Sequence, residues 1–133
     1  MQKNPVVHFE LPASDRERIK EFYTKAFGWK MNQLGPEMGD YVVVHTTETD
    51  ENNMVKTPGT INGGIFQKHA VDPMGQYPSV VILVENLEEA IENIKTAGGT
   101  IHGIIYEIPN VGRMISFIDT EGNRISALEP KKM

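Results

Sequence analysis

The sequence predicts an α+β domain made of two tandem β-α-β-β-β modules, and three observations carry that prediction. One pattern occurs twice: an apolar strand, a polar helix start, an amphipathic run, glycine, and an apolar restart. The copies register without a gap, since His8 to Gly28 and Ser79 to Gly99 both span 20 residues, offset by 71. Repetition at that scale identifies the building unit of a fold. Each helix candidate is then followed by three strand-like segments. A chain of 133 residues is the length of one domain, with module one at about 5–68, a linker at 69–78 and module two at about 79–130.

The first strand, 6–11, alternates, with Val7, Phe9 and Leu11 on one face and Val6, His8 and Glu10 on the other. Ser14 and Glu17 have capping-box spacing, which would satisfy the unpaired donors of a new helix. Ile19, Phe22, Tyr23, Ala26 and Phe27 follow at helical spacing and predict a core-facing stripe. Glu21 and Lys25 pair at i,i+4 on the wet side. Gly28 then supplies a left-handed cap. Strands are expected at 29–33, 41–47 and 60–67. Between the last two lies the polar segment 48–59, either a mobile loop or a flap over a ligand.

Module two repeats the grammar. The strand 79–84 leads to Asn86 and Glu89 at capping-box positions. Leu87, Ala90, Ile91, Ile94 and Ala97 form the helical stripe, and Gly98-Gly99 stops it. Strands are expected at 100–106, 113–119 and 123–129, with Glu121-Gly122 as a tight turn between the last two.

Composition excludes several functions. A net charge of -5 argues against a nucleic-acid partner, which requires a basic stripe; Lys131-Lys132 at the end is the only basic cluster and reads as a solvated tail. The chain has no cysteine, which removes disulfides and thiolate metal sites and suits a reducing, cytoplasmic location. No apolar run approaches a membrane span, and no signal-peptide core precedes the first strand. Nucleophile-elbow, phosphate-loop and dinucleotide motifs are missing. His45, His69 and His102 have no metal-ligand spacing.

The segments Glu21-Phe22-Tyr23-Thr24-Lys25-Ala26-Phe27-Gly28-Trp29-Lys30 and Phe117-Ile118-Asp119-Thr120-Glu121-Gly122-Asn123-Arg124-Ile125 resemble signatures of the vicinal oxygen chelate superfamily. That superfamily includes glyoxalase I, extradiol dioxygenases and bleomycin-resistance proteins. Thr120 departs from the usual Asp-Pro. The resemblance covers nearly the whole chain and implies paired modules whose curved mixed sheets form a cup-shaped pocket for a small molecule.

Well-known members hold a divalent metal through one side chain from each of four strands, leaving coordination positions open for substrate oxygens. Carried over, His8 falls on the first ligand position, Ser79 on the second module's histidine position and Ser126 on the glutamate position. Gly64 or its neighbour Ile65 falls on the remaining one. One strong ligand in four does not hold a metal, so no cofactor is expected. Glu129 would join only if the last strand were bulged, and Glu10 lies about 6.6 Å along from His8 on the same face.

Asn62-Gly63-Gly64-Ile65-Phe66 and Pro109-Asn110-Val111-Gly112-Arg113 are similar to segments of a less characterised, ligand-poor branch. The paired glycines mark close packing or close approach of a ligand. Arg113 is either a guanidinium at the mouth of the cup or part of a surface ion pair. The expected pocket residues are therefore His8, Glu10, Trp29, Gly64, Ser79, Arg113 and Ser126.

Three functions follow: a metal-free small-molecule pocket, with or without catalysis; a divalent-metal-dependent lyase, isomerase or dioxygenase using His8; and a resistance-type protein that sequesters a drug. Open sheet edges and the resemblance together imply a homodimer.

Overall fold

The computed structural model describes residues 3–68 and 72–131. Of the residues named above, His69 and Lys132 lie outside the described residues, as does the beginning of the linker. The chain is α+β, with eight strands and two α-helices among the described residues. It divides into two compact units, one spanning His8–Pro78 and the other joining the N-terminal residues up to Val7 to the chain from Ser79 onward.

In the first unit the strands are β1 (Val6–Ala13), β2 (Lys30–Gln33), β3 (Val42–His45) and β4 (Asn62–Gln67), with helix α1 (Arg16–Phe27). β1 and β4 run parallel, His8 opposite Asn62 and Glu10 opposite Gly64, while β3 pairs antiparallel with both β4 and β2. Ala13, Val42, Val44 and Ile65 form the buried core, packed by Phe9, Leu11, Ile19, Trp29 and Met31. Ile19 comes from α1, so this is the face the helix covers. Strand alternation therefore puts His8, Glu10 and Gly64 on the opposite face.

The helix begins one residue later than its capping-box spacing predicts. Asp15, not Ser14, is the N-cap, and its carboxylate accepts from the Arg18 N–H at 3.0 Å. A carboxylate there also meets the positive end of the helix dipole. Gly28 ends α1 at φ 72°, its N–H donating to the Thr24 carbonyl. The predicted core stripe is only partly used. Phe22 and Phe27 are 57% and 65% exposed, and α1 has no buried residue. Its aromatic rings pack sideways instead: Tyr23 stacks on Trp29 at 4.5 Å and 6°, and Phe22 meets Tyr23 edge-on at 4.9 Å.

The polar segment 48–59 is organised. Thr49 and Val55 form an isolated bridge, and the Asp50 carboxylate accepts from the N–H groups of Asn52 and Met54. An aspartate can hold a turn in this way because its short side chain reaches its own downstream backbone.

The second unit repeats the wiring with β5 (Ser79–Leu83), α2 (Leu87–Thr96), β6 (Thr100–Ile108), β7 (Gly112–Ile118) and β8 (Arg124–Pro130). β5 and β8 are parallel, and β7 pairs antiparallel with both β8 and β6. Asn86 caps α2 through the Glu89 N–H at 2.8 Å. Val84, Leu87, Ile115 and Ala127 form the core beneath that helix, while Val81, Met114 and Leu128 cluster on the other face. The β7–β8 turn is tied by Asp119, whose carboxylate accepts from the backbone of Glu121 and Asn123 and from the Asn123 side chain; Gly122 takes φ 86°. β6 runs beyond Tyr106 to Ile108 and changes register against β7 between His102 and Tyr106, where Gly103 adopts φ 87°.

Candidate functional site

On the face of module one opposite α1, three side chains are joined by hydrogen bonds. The Tyr41 hydroxyl lies 3.1 Å from the Glu10 carboxylate and 3.3 Å from His8 Nε2. Glu10 is 5% exposed. The Tyr41 hydroxyl donates its single proton to the hydrogen bond with Glu10. The Tyr41 oxygen then accepts from His8, whose Nε2 carries the ring proton. Burial pushes the His8 imidazole down to about 4, so it is neutral at physiological pH.

The paired glycines make this arrangement possible. A Cβ on Gly64 would overlap the Tyr41 hydroxyl, and one on Gly63 would collide with the Phe9 ring. One glycine thus admits the phenol on that face, and the other admits a core ring beneath α1. Tyr41 was not among the residues expected in the pocket. It sits just before β3, after Asp40 at φ 55°, and Gly64, paired with Val43 on the same face, was the one signal that something large must approach.

Trp29 lies with the core aromatics, 5.6 Å from Phe9 and stacked on Tyr23, on the side of module one that packs against α1. In module two, Ser126 is fully buried and exchanges a 3.0 Å hydrogen bond with Ser116. Ser79 is 7% exposed and accepts from the Arg124 guanidinium at 3.1 Å. Arg113 is held by two carboxylates. It forms a bidentate pair with Glu88, both bonds 2.8 Å, and two bonds of 3.0 Å to Glu129. Glu129 also accepts from the Leu87 N–H at 3.0 Å, pinning the start of α2 to β8. These hydrogen bonds, Glu88 first and then Glu129, raise the Arg113 pKa further, while Arg113 holds both carboxyls below their usual range.

The residues at the family's metal positions do not fit a divalent ion. Module one offers His8 as its one donor, since Gly64 carries no side chain. Module two offers two serine hydroxyls already bonded to Ser116 and Arg124. β8 keeps a continuous register with β7 from Arg124 to Pro130, so Glu129 is not re-aimed by a bulge and stays on the helix-facing side with Ala127. Among the described residues no group of three or more His, Asp or Glu side chains is placed to hold a metal. No helix among them is long and apolar enough to cross a membrane.

Comparison with known proteins agrees with this architecture. The family model described as bleomycin resistance protein-like N-terminal matches residues 6–47, the segment that carries His8, Glu10 and Tyr41. A glyoxylase-like domain-containing protein from Didymella fabae is 32% identical over 117 residues, covering 86% of this chain and 84% of the relative. Methylmalonyl-CoA epimerase from Mycobacterium tuberculosis superposes with a TM-score of 0.67 at 12% identity, over 96% of this chain and 88% of the other. A glyoxalase/bleomycin resistance protein/dioxygenase superfamily member from Vibrio splendidus 12B01 gives 0.58 at 13% identity, over 94% and 97%. The duplicated β-α-β-β-β wiring and the relative that shares a third of its residues place the chain in one family: it belongs to the vicinal oxygen chelate superfamily of glyoxalase-like and bleomycin-resistance-like proteins.

Proposed function

We propose that the protein binds a small organic molecule against the face of module one opposite α1, in contact with His8, Tyr41 and Glu10, without a metal centre. The observation that carries this reading is the His8–Tyr41–Glu10 line itself. A nearly buried carboxylate joined to a phenol and an imidazole is expensive to fold, and such groups concentrate where a ligand is recognised. The absence of a side chain at Gly64 lets the Tyr41 hydroxyl reach the strand surface between His8 and Glu10. Because the donor set does not suit a divalent ion, recognition rests on hydrogen bonding by the protein's own groups.

The test is a fragment titration of the 15N-labelled protein. Fragments that bind should move the backbone amides of His8, Val43 and Gly64, and Tyr41→Phe should weaken them several-fold. Shifts confined to other parts of the chain would end the proposal.

A second reading, sequestration of a flat cationic drug, is favoured by the match to the bleomycin resistance protein-like model and by the net charge of -5. Stoichiometric calorimetric binding of ethidium, with the dye recovered unchanged, would support it; no heat of binding would remove it.

A further inference from the structure

We infer that the Glu10–Tyr41 pair locks His8 in the Nε2–H tautomer, so that Nδ1 is a fixed acceptor selecting a ligand that offers a hydroxyl or N–H donor. This rests on the reading of the module-one face as a ligand site, and it specifies what that site selects.

Glu10 accepts a hydrogen bond from the Tyr41 hydroxyl, and the Tyr41 oxygen accepts one from the Nε2–H of His8. A neutral imidazole has one N–H, so the lone pair is left on Nδ1. His8 makes one side-chain hydrogen bond among the described residues, the one to Tyr41. No buried side-chain nitrogen or oxygen among them lacks a partner, so Nδ1 is open rather than sealed. The ring is held at its Nε2 edge by Tyr41.

A fixed acceptor on a constrained ring discriminates well. A ligand with a donor gains a hydrogen bond at Nδ1, while its methylated counterpart loses the bond and adds a clash. Tyr41 acts here as a positioning residue, since it sets which nitrogen accepts without itself meeting the donor. The chemical class selected is an alcohol, phenol or N–H compound.

Side-chain 15N NMR of the full chain tests this directly, with the His8 signals assigned from His8→Gln. In the wild type without ligand, Nδ1 should resonate as an unprotonated nitrogen and Nε2 as a protonated one. Tyr41→Phe should average the two toward intermediate positions while the backbone spectrum stays dispersed. Phenol and anisole, which differ by one methyl group on the oxygen, are the probes. Phenol should bind about tenfold tighter and move Nδ1, and that preference should shrink in Tyr41→Phe. A wild-type His8 protonated on Nδ1 overturns the inference, and so does an equal response of Nδ1 to both probes, including none. The tautomer is read without any ligand, and the amides of Val43 and Gly64 report binding at the face. A correct tautomer with probe shifts elsewhere would therefore refute the site, and binding at the face with the wrong tautomer would refute the selection rule.

Discussion

The Tyr41 hydroxyl occupies the volume that a side chain at Gly64 would need, so these two residues, 23 apart in sequence, are a matched pair. Gly64→Ala has to expel the phenol from the strand surface, because the overlapped atom sits at the end of a rigid ring. Overpacking of this kind costs about 1–3 kcal/mol, read as a lower urea midpoint at unchanged slope. The substitution should also break the bond to His8, so a retained tautomer in Gly64→Ala would show that Tyr41 is not needed to set it.

His8 makes stability depend on pH. Its pKa is about 4 in the folded chain and 6.5 when unfolded, because burial disfavours the charged ring. Between those values the unfolded state binds more protons, so stability rises with pH there and is lost as pH falls from 6.5 through 4. The contribution is up to about 3 kcal/mol. His8→Gln should flatten this part of the profile, measured by urea denaturation from pH 4 to 7; an unchanged slope would place the titration elsewhere.

The Arg113 clamp acts at lower pH. Arg113 lowers the pKa of Glu88 from 4.5 to about 2 and lowers that of Glu129 as well. Carboxyls depressed by folding stabilise above their unfolded pKa and lose that effect as pH falls through the folded value. Arg113→Gln should therefore remove part of the stability loss between about pH 4.5 and 2. It should also loosen the first turn of α2, where Glu129 accepts from Leu87, and so speed exchange of the Leu87 amide.

How legible each residue was depended on the range of its contacts. Period-two alternation correctly put Phe9 and Leu11 under α1 and His8 and Glu10 on the other face, because parity along a strand is a local property. Gly28 and Asn86 were readable as caps for the same reason. Tyr41 was not, since its partners at 8, 10 and 64 come from two other strands and no linear pattern joins them. Arg113 could have been placed from its parity with Ile115 and Phe117, both packed beneath α2; the Gly112-Arg113 motif drew attention to the cup instead. In α1, periodicity showed that Phe22 and Phe27 share a face with Ile19, but not how little of that face the sheet beneath would cover.

A bound ion would reveal itself by mass action. A site saturated a hundredfold above its dissociation constant stabilises a protein by about 2.7 kcal/mol. With module two's hydroxyls engaged and His8 the one strong donor at the family's positions, Ni²⁺, Zn²⁺ or Mn²⁺ at millimolar concentration should leave Tm unchanged, and EDTA should do the same. A metal-dependent rise of several degrees, lost in His8→Gln, would reinstate the metal-dependent reading.

Phe27 and Leu87 test how each helix is held. Both lie on the apolar stripe of their helix, yet Phe27 is 65% exposed while Leu87 is fully buried against Val84, Ile115 and Ala127. Removing an exposed ring forfeits little burial, so Phe27→Ser should change stability by no more than about 0.5 kcal/mol. Leu87→Ala should cost about 2–5 kcal/mol, because it empties a site closed on every side. Chemical denaturation of both variants separates the cases. Equal losses would mean that Phe27 is covered in solution by something the isolated chain does not provide.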